Sequence, residues 1–452
     1  MAIAVATAVA IGLIGGHSLP DYDATFALIW GRDIAHGHAP DYSLPYRPAG
    51  HPLTTLVGVI GTPLGRDGAA ELLRWVSLLG AGAFVAATFR FGQALFGTAA
   101  GAIAAVLLAT RSPLWGFSEL MFMDAWAAAF VVWAALLEYR TPRRGPAVFV
   151  LLALAGLLRP EVWLFALAYW AWIAVGSRQR ALRLAPLALL APIVWAVFDL
   201  VTVQQFLGSV NTDEGLPTTL STGGHGIGHA ASSLVRFVGG FARVPEAVAA
   251  AVGVALLLRS DWKRAALPAA LVALNVLTFA LVAVRNGPLE QRYLLVAAAM
   301  VLVFAGYAIA QLIYAAARPQ PERRVARIAA AVLALACIAY APIDVRRLDD
   351  LHDQVATSNS VYSELADLVQ TRRARCLLRS GAHVPDLRLR PVVAYWGGIA
   401  PARIDTEPGP GAVVIPLAPV ARELSSRSLP ADPDTSSGTP PRWRLAGVCA
   451  AY

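Results

Sequence analysis

The acids and arginines of this chain that could do chemistry recur at the ends of apolar segments. Asp21 and Asp23 stand two apart in Pro20-Asp21-Tyr22-Asp23, the spacing of an Asp-x-Asp pair that holds a metal and a nucleotide sugar. His51 closes the same polar stretch, just before Pro52. Glu119 and Asp124 flank the next polar gap; about one and a half helical turns separate them, so they do not share a face. Arg159-Pro160-Glu161 interrupts an apolar run, and Arg285 and Glu290-Gln291-Arg292-Tyr293 follow a later one. A guanidinium grips a phosphate through two parallel N–H bonds, which an ammonium cannot do. His225 and His229 are four apart, a metal-binding spacing on a helix, but Gly226 and Gly228 argue against a helix and no third ligand is adjacent. The stretch 204–238 reads better as a lid than as a metal site.

Each of these groups also has a plainer reading. Asp124 would complement a helix dipole, Glu119 would lie at an interface, Arg159 and Glu161 would pair across a turn, and Arg292-Tyr293 would be an interfacial anchor. Trp163, Tyr169, Trp170 and Trp172 read as packing and belt aromatics.

The elements that must position these groups are hydrophobic helices. Of 452 residues, 57% are hydrophobic and 15% charged, and the mean hydropathy is +0.58. Soluble domains carry about 25% charge, so most of this chain requires a non-aqueous solvent. The net charge of +8 does not indicate nucleic acid, because the basic residues lie in short gaps between apolar runs and form no stripe. About eleven apolar segments approach bilayer-spanning length: near 1–18, 70–96, 98–113, 119–139, 146–158, 161–176, 184–203, 239–258, 265–284, 290–316 and 325–342. The first lacks a basic leader and a cleavage site, and so reads as a helix rather than a signal peptide. The fifth rises only about 20 Å, which places Arg159-Pro160-Glu161 below the membrane surface, where a charged break must line a cavity or be buried in protein.

With the N-terminus inside, the basic clusters fall in the even-numbered gaps: Arg90; Arg140, Arg143 and Arg144; Arg178, Arg180 and Arg183; Arg259, Lys263 and Arg264; and Arg318, Arg323, Arg324 and Arg327. This is the positive-inside pattern. It turns the polar stretches 19–52 and 204–238 outward, together with everything after residue 342. An outward loop has no access to cytosolic nucleotide sugars, so a sugar donor there must be carried by a lipid. The expected architecture is an all-α polytopic membrane domain over 1–342 and a small extracytoplasmic α/β domain over 343–452. In the latter, 344–373 is charged and helical, and Val392–Trp396, Ala412–Pro416 and Trp443–Val448 are β-like. Cys376 and Cys449 lie beside expected strands and either form a disulfide or remain buried thiols, while Cys337 reads as packing.

The order of these motifs resembles the GT-C fold glycosyltransferases, which use polyprenyl-phosphate-linked sugars. The likeness covers most of 1–316. It runs through Asp21-Tyr22-Asp23, Gly37-His38-Ala39-Pro40, His51-Pro52-Leu53, the acid at the start of the fourth segment, Leu158-Arg159-Pro160-Glu161-Val162-Trp163 and Arg292-Tyr293. It implies an acid of the first outer loop as general base on the acceptor hydroxyl. Asp23 matches that position best by its distance from Gly37, with Asp21 in reserve, although Asp-x-Asp replaces the usual Asp-Glu pair. It implies Arg292 as phosphate clamp, Asp124 and Glu161 as orienting groups, and His51, Glu119, Arg159, Arg285 and Tyr293 as further substrate-binding residues. Some relatives use a divalent metal ion and others none, and no other cofactor is implied. The implied partners are a polyprenyl-phosphate sugar, the lipid bilayer and a glycan, lipid or protein acceptor, with no nucleic acid. The implied location is a multi-pass position in a plasma membrane, and the Ala-, Arg- and Gly-rich composition suits a high-GC bacterium. A lipid-glycan transporter and a non-catalytic membrane subunit are the other classes that fit. Against the transporter, the charges crowd one surface and no internal repeat is evident.

Overall fold

A computed structural model describes residues 1–16, 18–42, 44, 47–202, 204–208, 210, 227–285, 287, 289–317, 324–406, 411–426 and 442–447. The chain is mostly helical. It begins with α1 (Ala2–Gly15), α2 (Tyr22–Ala35), α3 (Pro52–Gly61) and α4 (Gly65–Phe96). Next come α5 (Thr98–Ala109), α6 (Ser112–Glu119), α7 (Asp124–Arg140), α8 (Pro146–Leu158), α9 (Trp163–Gly176), α10 (Arg178–Ala188) and α11 (Leu190–Thr202). After the stretch containing His225, which lies outside the described residues, follow α12 (Ile227–Phe241), α13 (Val244–Ser260), α14 (Trp262–Val284) and α15 (Leu295–Ala317).

Among the described residues, four helical stretches are long and apolar enough to cross a membrane, or six if two bent pairs each count as one span. The bent pairs are α5 with α6, at 58°, and α12 with α13, at 100°. These bends, and the short apolar α1, α8 and α9, are the reason apolar segments and whole spans do not correspond one to one. The stretch 19–52 is not a bare loop: it carries α2, which buries Phe26, Leu28, Ile29 and Trp30. Small residues let α2 meet α3 backbone to backbone. A Cβ on Gly31 would come within 2.6 Å of the Gly58 Cα, so both positions must stay glycine for this approach.

The chain ends in α16 (Arg324–Gln370), α17 (Arg372–Leu377), α18 (Arg390–Gly397), α19 (Pro419–Ser426) and a small sheet. The strands are β1 (Ala382–His383), β2 (Ile404–Asp405), β3 (Ala412–Pro416) and β4 (Trp443–Ala446), in the order β2-β1-β3-β4. β1 runs parallel to both β2 and β3, while β4 is antiparallel to β3. The expected β-like runs at 412–416 and from 443 are strands. Val392–Trp396 is not: it forms α18. Pro391 starts that helix, Gly398 ends it at φ 72°, and its residues are buried. A five-residue apolar run has no period by which strand and helix can be told apart.

α16 runs unbroken for 47 residues from the expected last span into the C-terminal region, with Pro342 inside it. The C-terminal region docks on the first turn of α4 through α18. Tyr395 donates to the Arg66 carbonyl at 2.9 Å, Arg66 to the Trp396 carbonyl at 2.6 Å, and Trp396 to Asp67 at 3.2 Å. Cys376 is disulfide-bonded; Cys449 lies outside the described residues.

Candidate active site

Four charged side chains from distant parts of the chain meet beside α2. Asp23 lies in the first turn of α2, Asp124 opens α7, Arg159 caps α8 and Arg292 sits in a 3-10 turn, Gln291–Leu294, ahead of α15. Arg292 donates from Nη2 to Asp23 Oδ2 at 3.1 Å, and its Nη1 faces Asp124 Oδ2 at 3.8 Å. Arg159 forms a close ion pair with the other oxygen of Asp124. The Arg292 guanidinium lies over the Phe122 ring at 3.8 Å, and Arg159 lies over Tyr293 at 4.8 Å. Two positive and two negative charges therefore face one another with aromatic faces beneath both arginines, an arrangement that offsets part of the cost of desolvating them.

Local structure explains how they come together. The Asp21 N–H donates to the Leu120 carbonyl, which ties the start of α2 to the tight turn ahead of α7. Ser77 donates to the Phe122 carbonyl at 2.8 Å and fixes that same turn. Asn275, inside the apolar α14, donates to the Tyr293 carbonyl at 2.7 Å and accepts from the Ala297 N–H at 2.9 Å. It thereby joins the arginine turn to both neighbouring helices. Pro160 follows Arg159 and stops α8, so the arginine projects from an end rather than from a helical flank.

Two cavities open from this cluster. One is lined by Asp23, His51, Thr54, Phe122, Arg159 and Arg292. The other is a cleft lined by Asp124, Arg159, Glu161, Arg292 and Tyr293. The rest of its lining is mostly apolar, with Ala127, Val131, Phe165, Phe279 and Val296 beside Asn275 and Thr278. His51 stands at the start of α3 with its ring edge-on to Trp195 at 5.8 Å. Burial, with help from the charge of Arg159, pushes its imidazole down to about 4, so it is neutral around pH 7.

The expected site residues divide into two groups. Asp23, Asp124, His51, Arg159, Glu161, Arg292 and Tyr293 converge on these two cavities. Asp21 does not. As the residue capping α2 it lines a separate cleft with Ser18, Tyr362 and Arg388. Glu119 pairs with buried Arg74 of α4 at 3.2 Å, and Arg74 also donates to the Gly12 carbonyl, so the pair fastens α6 and α1 to α4. Arg285 is exposed at the end of α14. Sequence reading missed Asn275 and Phe122; the first had a usable signal, a lone amide in an apolar helix, and the second had none.

No family model matches the sequence, and no curated protein matches it. Solved structures do. ArnT from Cupriavidus metallidurans bound to undecaprenyl phosphate superposes with a TM-score of 0.58 at 14% identity, covering 92% of this chain and 93% of that one. The oligosaccharyltransferase of Archaeoglobus fulgidus in its apo form gives 0.56 at 12%, covering 96% and 72%. The archaeal oligosaccharyltransferase AglB from the same organism, in complex with an inhibitory peptide and a dolichol-phosphate, gives 0.50 at 12%, covering 88% and 64%. This chain has the GT-C fold. In this GT-C chain the cluster joins α2, at the N-terminal end of the likeness, to the turn before α15.

The donor set does not suit a divalent ion. Asp23 and Asp124 each already face a guanidinium, and an ion bound between them would stand within a few ångströms of two arginines. Among the described residues no three His, Cys, Asp or Glu side chains gather as metal ligands.

Proposed function

We propose that this protein is a membrane glycosyltransferase that moves a sugar from a polyprenyl-phosphate donor to the hydroxyl of an extracytoplasmic acceptor, a cell-envelope glycan, glycolipid or protein. The observation that carries this reading is the pair of half-buried arginines, Arg159 and Arg292, lining a largely apolar cleft beside Asp23 and Asp124. That cleft suits a lipid whose polar end is a phosphate and whose remainder is hydrocarbon. The GT-C fold, shared with proteins solved with undecaprenyl phosphate and with dolichol-phosphate, supports the same donor class.

The chemistry follows from the charges. Asp23 accepts the proton of the acceptor hydroxyl as its oxygen bonds to the anomeric carbon and the bond from that carbon to the phosphate oxygen breaks. The sugar leaves with inverted configuration at that carbon, and the polyprenyl phosphate departs with one more negative charge than the donor carried. Arg292 and Arg159 stabilise that charge as it develops, in a site where burial strengthens the effect. No general acid is needed, because phosphate leaves readily. Asp124 holds both arginines, Glu161 and Tyr293 border the donor, and neutral His51 lines the acceptor side. In this reading about eleven spans cross a plasma membrane with the N-terminus inside. Residues 343–452 form an extracytoplasmic domain, and the protein is bacterial.

The test is sugar transfer from a panel of radiolabelled polyprenyl-phosphate sugars, using membranes with the wild-type protein or Asp23→Asn. Transfer that falls by roughly 10²-fold or more in the variant is the expected result. Unimpaired transfer by the variant would move the base to another carboxylate, and no transfer from any donor would sink the reading.

A further inference from the structure

Arg292 is held more loosely than its burial would suggest. Its side chain is 10% exposed, yet it makes one hydrogen bond of ordinary length among the described residues, from Nη2 to Asp23. Nη1 is 3.8 Å from Asp124, too long for a hydrogen bond. Nε is buried and has no partner. Asp124 already has Arg159, whereas Asp23 is 29% exposed and is the more easily displaced.

The shape of a guanidinium gives this pattern a direction. The N–H bonds of Nε and Nη2 lie parallel along one edge, the edge that grips two oxygens of a phosphate at once. In Arg292 the Nε end of that edge is unspent, and Nη2, at its other end, donates to Asp23. A phosphate entering the cleft that Arg292 lines takes Nε directly and competes with Asp23 for Nη2.

We propose that the Asp23–Arg292 ion pair is a latch that the donor phosphate opens, so that the base is released only when the donor is seated. The inference rests on the donor reading given above. The phosphate takes the Nε–Nη2 edge and Asp23 loses its cation. Released from that bond and partly exposed, the Asp23 carboxylate is free to turn toward the acceptor hydroxyl. Donor therefore binds before acceptor, and the empty enzyme keeps its base occupied.

Two measurements on the purified full-length protein test this, with undecaprenyl phosphate as the probe. The first is binding, followed by tryptophan fluorescence in detergent, for wild type, Asp23→Asn, Asp23→Ala and Asp23→Glu, each checked for an unchanged melting temperature. With the competitor removed, the Asn and Ala variants bind on the order of tenfold tighter, the size of one charge-assisted hydrogen bond, while the Glu variant stays near wild type. The second measurement separates a latch from simple charge repulsion. The rate at which a water-soluble carbodiimide labels Asp23, read by mass spectrometry, rises when undecaprenyl phosphate is added. Equal or weaker lipid binding by the neutral variants, or a labelling rate that stays level or falls, overturns the latch while leaving the donor reading intact. No binding by any protein, wild type included, overturns the donor reading and the latch with it.

Discussion

Two clusters in this protein contain the same four groups, two arginines and two carboxylates, yet they are built in opposite ways. In the second, Arg111 spends all three nitrogens: Nε donates to the Leu107 carbonyl at 2.8 Å, Nη1 to Asp344 at 2.9 Å and Nη2 to Glu246 at 2.8 Å. Arg243 likewise donates twice to Asp344, at 2.9 and 2.7 Å, and once to the Gly239 carbonyl at 3.2 Å. This cluster pins α16 to α13 and to the α5–α6 break. The Arg292 cluster leaves guanidinium nitrogens unspent, borders two cavities and is assembled from helix ends and 3-10 turns. An arginine with every nitrogen spent marks a fastening, and an arginine with unspent nitrogens beside a cavity marks a place for something else to bind.

If that distinction is right, the two clusters must fail differently when broken. Arg111→Met leaves Glu246 buried and unpaired and strips Asp344 of one partner. It should cost about 3–5 kcal/mol of stability, read as a lower melting temperature and denaturation midpoint. Transfer per folded molecule should be far less affected. A stable variant with lost transfer would move this cluster into the site. Arg292→Met should do the reverse. Asp124 retains Arg159 and Asp23 is partly exposed, so the melting temperature should shift little. Transfer should fall by about 10²–10³-fold, the scale of one lost group that stabilises developing charge.

A smaller effect sharpens the comparison. Asn275→Leu removes the bonds to Tyr293 and Ala297 and should cost roughly 1–3 kcal/mol, with a drop in transfer beyond the loss of folded protein. If transfer per folded molecule is unchanged, Asn275 is a fastening only. The smallest effect is expected from pH. His51 is pushed down to about 4 in the fold, against an ordinary value near 6.5, so the unfolded chain binds the extra proton first. Stability from this group is fully present above pH 6.5 and is lost as pH falls toward 4. Melting curves of His51→Gln across that window should be flatter than those of wild type; identical slopes would show that His51 is not held neutral.

Much of the site could be read from the sequence, because charge at the end of an apolar segment stands out against its surroundings. Asp23, Asp124, Arg159 and Arg292 are such residues, and the fold brings them together. What local sequence does not encode is the partner. Glu119 carried the same signal as Asp124, yet its partner Arg74 lies 45 residues earlier, and only packing reveals that the pair is a fastening. Asp21 and Asp23 are indistinguishable by type, and the start of α2 sends them to different cavities. The helices follow from apolar runs, but α2 hides in a stretch with polar ends, and α18 reads as a strand because its short apolar run shows no helical period.

α16 has a mechanical consequence. Its 47 residues span about 70 Å at 1.5 Å each, more than twice the thickness of a bilayer core of about 30 Å. The C-terminal domain is thus carried on a mast rather than a tether. A flexible leash would let that domain sample a volume; a continuous helix fixes its azimuth. One residue added to the mast would swing everything beyond it by about 100°, away from Arg66 and Asp67. Pro342, which removes a rung from the mast, stands two residues before Asp344, where the Arg111 and Arg243 clamp closes. The brace is fitted at the weakest joint, and helix length and phase, rather than chain entropy, set the reach of the C-terminal region.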